Sequence, residues 1–84
     1  MGRPETVATP HETMMRQVVE AVRDATAPLP DAALPAQTGL SIEVCWPLTD
    51  EAEVAGYLSW CRAPPGWVLQ PDGEDYLTHW PPAT

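Results

Sequence analysis

The chain has no lysine, no asparagine and no phenylalanine, and a single isoleucine, Ile42. All four residue types use AT-rich codons, so their scarcity points to a GC-rich genome, that of a bacterium or its phage. Cations are scarce as a class: four arginines face twelve carboxylates, for a formal charge of −8. The deficit is uneven. After residue 28, Asp31, Glu43, Asp50, Glu51, Glu53, Asp72, Glu74 and Asp75 stand against Arg62 alone, a net −7. Before it, Glu5, Glu12, Glu20 and Asp24 nearly balance Arg3, Arg16 and Arg23, leaving −1. Such a body repels nucleic acid and anionic membrane and favours basic surfaces.

Other absences narrow the class. No apolar run approaches the length needed to span a bilayer, and the first ten residues hold no apolar core of a secretory signal, so the expected location is cytoplasmic. Two cysteines, Cys45 and Cys61, are too few for a disulfide framework, and free thiols are expected in a reducing compartment. Eighty-four residues allow one domain with a modest core. The five glycines are scattered, so no phosphate-cradling loop is present.

What is present orders into five expected elements. The spacing predicts an amphipathic helix over 9–27. Thr9 and Glu12 form a capping box around Pro10, Met14, Met15, Val18, Val22 and Ala25 share one side, and Pro28 ends it. Residues 28–39 read as a Pro/Ala-rich connector pinned by Leu29 and Leu34. Leu40-Ser-Ile-Glu-Val-Cys-Trp46 alternates strictly and predicts a strand stopped by Pro47. A second helix is expected from Asp50 to Arg62, with Val54, Tyr57, Leu58 and Cys61 as its buried stripe and Trp60 at the margin. Asp72-Gly73 between apolar runs predicts a hairpin of 67–70 with 75–80, carrying Trp67, Leu69, Tyr76 and Trp80 on one face. Residues 1–8 and 83–84 are expected to be mobile. The resulting fold class is α+β, a small single domain in the order α-β-α-β-β, with a three-stranded sheet, helices mainly on one face and a body over 40–82. Two open sheet edges on so small a domain favour a homodimer.

The acidic groups form two clusters, Asp50-Glu51-x-Glu53 and Asp72-x-Glu74-Asp75. Capping, turn formation and solubility account for most of them. They do not account for the missing cations, since an ordinary soluble surface mixes both signs. Nucleic-acid mimicry needs a long carboxylate array, because duplex DNA presents a charge every ~1.7 Å of axis, and both clusters are short. Of the four tryptophans, Trp46 and Trp67 are expected in the core, while Trp60 and Trp80 stand at its edge as candidate interface anchors.

Catalysis has little support. His11 and His79 have no neighbouring nucleophile or carboxylate at a motif spacing. Cys45, Cys61 and the two histidines lack the short ligand spacing of a zinc site, so neither metal nor cofactor is expected. Pro64-Pro-Gly-Trp67 resembles the Pro-x-Gly-Trp segment of MbtH-like accessory proteins of peptide synthetases. The match covers four residues, a helix is expected before it rather than after it, and the downstream tryptophan signature is missing, so it assigns no family.

The leading expectation is therefore a non-enzymatic binding module that engages a basic surface of a larger protein, as an inhibitor, antitoxin-like or phage host-takeover protein would. Asp50, Glu51, Glu53, Asp72, Glu74 and Asp75 would steer the partner, and Trp60 and Trp80 would anchor it. The alternative is a small-molecule-binding or accessory protein, of a biosynthetic cluster for instance, whose pocket gathers Trp46, Trp67, Tyr76 and Trp80.

Overall fold

The computed structural model of the protein describes residues 8–81. Of the arm expected over 1–8, only Ala8 falls among them, and residues 83–84 lie outside. The first helix, α1 (Pro10–Asp24), starts as its spacing predicts: Thr9 Oγ1 accepts from the Glu12 N–H at 3.1 Å and Glu12 Oε1 accepts from the Thr9 N–H at 2.9 Å. It ends three residues before the expected Ala27, with Ala25 already extended. Met15, Val18, Val19, Ala21 and Val22 are buried, and α1 is the element against which most of the others pack.

The connector is more structured than a proline-rich path suggests. Leu29 pairs with Trp67 through two backbone hydrogen bonds of 2.8 and 3.0 Å, and a 3₁₀ turn (Asp31–Ala33) leads into the short α2 (Leu34–Thr38). Leu29 and Leu34 are both buried, so the expected pins hold.

Residues 40–46 are not a strand. Helix α3 runs Ile42–Ala55 with Ser41 at its N-cap position, and it buries Cys45, Leu48, Thr49 and Ala52, which recur at i, i+3, i+4 and i+7. The alternation of Leu40, Ile42, Val44 and Trp46 coexists with that helical period, and tertiary burial decides between them. Pro47 lies inside the helix on its exposed side, where it removes one intrahelical hydrogen bond without ending the helix. Trp46, expected in the core, is accordingly 52% exposed.

Nor does a helix extend to Arg62. Gly56 takes the left-handed conformation (φ 84°), and its N–H and that of Tyr57 close onto Glu53 and Ala52 at 3.1 and 2.9 Å. That reversal ends α3. Val54, assigned to a buried stripe, is 90% exposed, whereas Leu58 is buried in a strand.

The hairpin comes earlier than expected. β1 (Leu58–Arg62) pairs antiparallel with β2 (Pro65–Leu69), with Leu58 opposite Leu69 and Trp60 opposite Trp67. Ala63-Pro64 forms the loop, so the Pro-Pro-Gly run joins strands instead of following a helix. Asp72-Gly73 is no turn but the first turn of α4 (Pro71–Thr78), with Pro71 at a first-turn position where its missing N–H costs nothing. Gly73 is needed there because a Cβ would collide with the Tyr57 carbonyl oxygen. The protein is thus a small α+β domain of four helices and a two-stranded sheet among the described residues. The expected third strand is absent because both its sources, 40–46 and 75–80, lie in or beside helices.

Candidate functional site

Helix α4 brings Asp72, Asp75, Tyr76 and His79 to one side, at i, i+3, i+4 and i+7. All four line a groove of about 710 Å³ together with Ala55, Tyr57, Trp80 and Pro81. The turn at Gly56 delivers Tyr57 to this wall, and the Asp72 carboxylate lies against Gly56. Tyr57 stacks on Tyr76 with centroids 4.5 Å apart and planes at 28°. Tyr76 meets Trp80 nearly edge-on at 5.7 Å and 65°. Arg16 of α1 lies over the Trp80 ring, 5.2 Å from its centroid, while its Nε pairs with Glu20 at 3.2 Å.

A second cavity of about 350 Å³ shares Ala55, Tyr57 and Tyr76 with the first and adds His11, Glu12, Met15 and Glu51. His11 Nε2 lies 2.9 and 3.0 Å from the two Glu51 carboxylate oxygens, tying the start of α1 to α3. The Tyr76 hydroxyl donates to the Glu12 carbonyl at 3.3 Å. On the far rim, His79 Nδ1 is 2.9 Å from the Asp75 carbonyl and 3.4 Å from its carboxylate.

The field here is negative. Burial raises the Tyr57 hydroxyl above its ordinary range, and the Glu51 and Asp72 carboxylates raise it further. Burial likewise pushes Tyr76 up to about 12, with Tyr57, Glu12 and Glu51 adding to it and Arg16 opposing. Both phenols therefore ionise at higher pH than a free phenol, because an added negative charge is disfavoured at this wall.

Of the residues expected at the site, Asp72, Asp75 and Trp80 line the groove and Glu51 lines the adjoining cavity. Asp50 and Glu53 lie exposed elsewhere on α3, and Glu74 faces away on α4, where its charge is felt by Arg23. Trp60 sits at the hairpin, 40% exposed and edge-on to Trp67 at 5.1 Å. The four-aromatic pocket is not formed. Trp67 is buried with its indole N–H donated to Asp31 at 2.7 Å, and Trp46 stands on the exposed side of α3, leaving only Tyr76 and Trp80 together.

Tyr57, Arg16, His11 and His79 were not among the expected site residues. The available signals were Gly56, a glycine at a helix end just before an alternating run, and the helical spacing of Asp72, Asp75, Tyr76 and His79.

The arrangement offers aromatic rings and acceptor oxygens at one surface, the chemistry that holds a cation. Cys45 is fully buried and Cys61 belongs to the hairpin, so neither thiol adjoins the groove. Among the described residues no helix is long and apolar enough to cross a membrane. No protein-family model matches the chain, and neither the curated proteins nor the solved structures contain a significant match.

Proposed function

We propose that the protein is a small acidic, non-enzymatic module that binds a basic surface of a larger protein, of the inhibitor, antitoxin-like or host-takeover kind. The observation that carries this reading is the convergence of Asp72 and Asp75 on the Tyr57–Tyr76–Trp80 wall, with Glu51 across the same wall. A charged rim around half-buried aromatics is the anatomy of an interface anchor: the carboxylates speed encounter and the rings slow escape. Asp50 and Glu53 on α3 extend the negative field and add to steering. A second copy could pair along the outer side of β1, since Leu29 already covers β2.

The test is the association rate of the partner recovered by affinity capture, measured at low and high salt. The Asp72→Asn/Asp75→Asn variant is expected to keep its fold and to associate about tenfold more slowly at low salt, the gap closing as salt screens it. Glu74→Gln, which faces away from the groove, should act less. Equal association rates for wild type and double variant at every salt concentration would overturn the reading.

A second reading is a small-molecule site, favoured by one observation: the groove's volume of about 710 Å³ falls within the range of ligand pockets. An uncharged aromatic ligand would bind with little dependence on salt, which separates the two readings.

A further inference from the structure

The groove has a chemistry more specific than negative charge, and the inference that follows rests on the acidic-module reading above. Asp72 and Asp75 lie one helical turn apart on the same side of α4 and both border the cavity. Among the described residues, Asp72 has no basic side chain within ion-pair distance, and Asp75 has only the His79 imidazole, at 3.4 Å. Two acceptors with spare capacity thus stand beside Tyr57, Tyr76 and Trp80. The protein also displays one half of the recognition it would use, since the Arg16 guanidinium already rests over Trp80 at 5.2 Å. Arg16 does not line the groove, so the rim carboxylates are left to an incoming group.

We propose that the groove seats an arginine side chain of the basic partner, its guanidinium bonded to Asp72 and Asp75 and packed against Tyr76 and Trp80. Three properties select arginine over lysine. The guanidinium is planar and packs on aromatic faces, its forked N–H groups suit paired carboxylate oxygens, and it is more weakly hydrated than an ammonium, so it loses less on entering a half-buried site. The net charge of −8 disfavours the obvious competitors for an aromatic wall, a nucleobase with its phosphate or an anionic lipid surface. Burial first, and then the Glu51 and Asp72 carboxylates, raise the Tyr57 hydroxyl, and a cation seated beside it would relieve the part due to the carboxylates.

The probe is a short peptide of otherwise uncharged residues carrying two arginines, compared with the same peptide carrying two lysines, titrated into the whole protein and followed by NMR. The arginine peptide is expected to move the Trp80 indole N–H and the Tyr57 and Tyr76 ring signals while leaving the exposed Trp46 indole in place. It should bind about threefold or more tighter than the lysine peptide. Asp72→Asn/Asp75→Asn should weaken it about tenfold with the remaining amide spectrum unchanged, and Asp50→Asn/Glu53→Gln by less than about twofold. Equal binding of the two peptides, or equal losses in the two double variants, would overturn the arginine seat while leaving a diffuse acidic module standing. A captured partner whose association ignores salt would instead sink the module reading itself.

Discussion

At the hairpin, Trp67 is 6% exposed, meets Trp60 edge-on and gives its indole N–H to Asp31. Around α4, Tyr57, Tyr76 and Trp80 also touch one another at steep or stacked angles with aspartates beside them, yet these rings are half-buried and line a groove. Both clusters set aromatic rings beside aspartates, and the uses are opposite. In the first cluster the carboxylate is consumed inside the fold, satisfying a buried donor that would otherwise carry a desolvation cost. In the second the carboxylates keep acceptor capacity at the surface. What separates structure from site is where the acceptors of the acidic groups point, and composition alone does not reveal that.

The comparison breaks first at Trp67. Trp67→Ala should cost about 3–5 kcal/mol, because it empties a core position between α1 and the hairpin and leaves Asp31 without its donor. Asp31→Ala should cost about 1–3 kcal/mol by stranding the indole N–H. Chemical denaturation of both variants and of the double variant would show losses well short of additive. Additive losses would mean that the Trp67–Asp31 bond contributes little.

The first helix was legible in the sequence because its caps, its period and its proline all agree, and α1 departs only at its last turn. The α+β class and the buried Leu29 and Leu34 were legible too, whereas the strand over 40–46 and the hairpin around Asp72-Gly73 failed where two local patterns fit the same residues. Leu40 to Trp46 alternates like a strand, but Cys45, Leu48 and Ala52 match a helical face that only the opposing surface of α1 makes worthwhile. Asp72-Gly73 is a strong turn signal beside alternating apolar residues, yet Pro71 at the helix start and the close approach of Gly73 to Tyr57 put it in α4. The site inherits both errors. The acidic residues and Trp80 were legible as surface chemistry, but Tyr57 joins them only through the chain reversal at Gly56, a long-range consequence of where α3 ends.

A second way to sharpen the contrast is alkaline titration. Tyr76 ionises at about 12 in the folded protein, above the ordinary value of 10 for a phenol. The unfolded chain therefore loses this proton first, and stability present below pH 10 declines as pH rises from 10 through 12. Tyr57, raised in the same direction, adds to the decline. Tyr76→Phe should be less stable than wild type at neutral pH, through the lost bond to the Glu12 carbonyl, but should show a shallower fall in Tm across that window. A parallel fall in wild type and variant would show that Tyr76 is not held protonated by the fold.

The smallest effect on stability is expected at the groove rim, and it decides whether the two aspartates differ as argued. Asp75 is exposed, and among the described residues the basic side chain nearest its carboxylate is the His79 imidazole, at 3.4 Å and itself exposed. An exposed pair of this kind contributes little, and alanine suits a helix interior better than aspartate does. Asp75→Ala should therefore change the unfolding free energy by less than about 0.5 kcal/mol in either direction. The same substitution at Asp31 is expected to cost several times more, although both residues are aspartates beside an aromatic cluster. Denaturation midpoints of the two variants, measured side by side, make the comparison directly. A loss at Asp75 as large as that at Asp31 would mean that its carboxylate is already engaged in holding α4, and the groove would then have one acceptor fewer to offer an incoming cation.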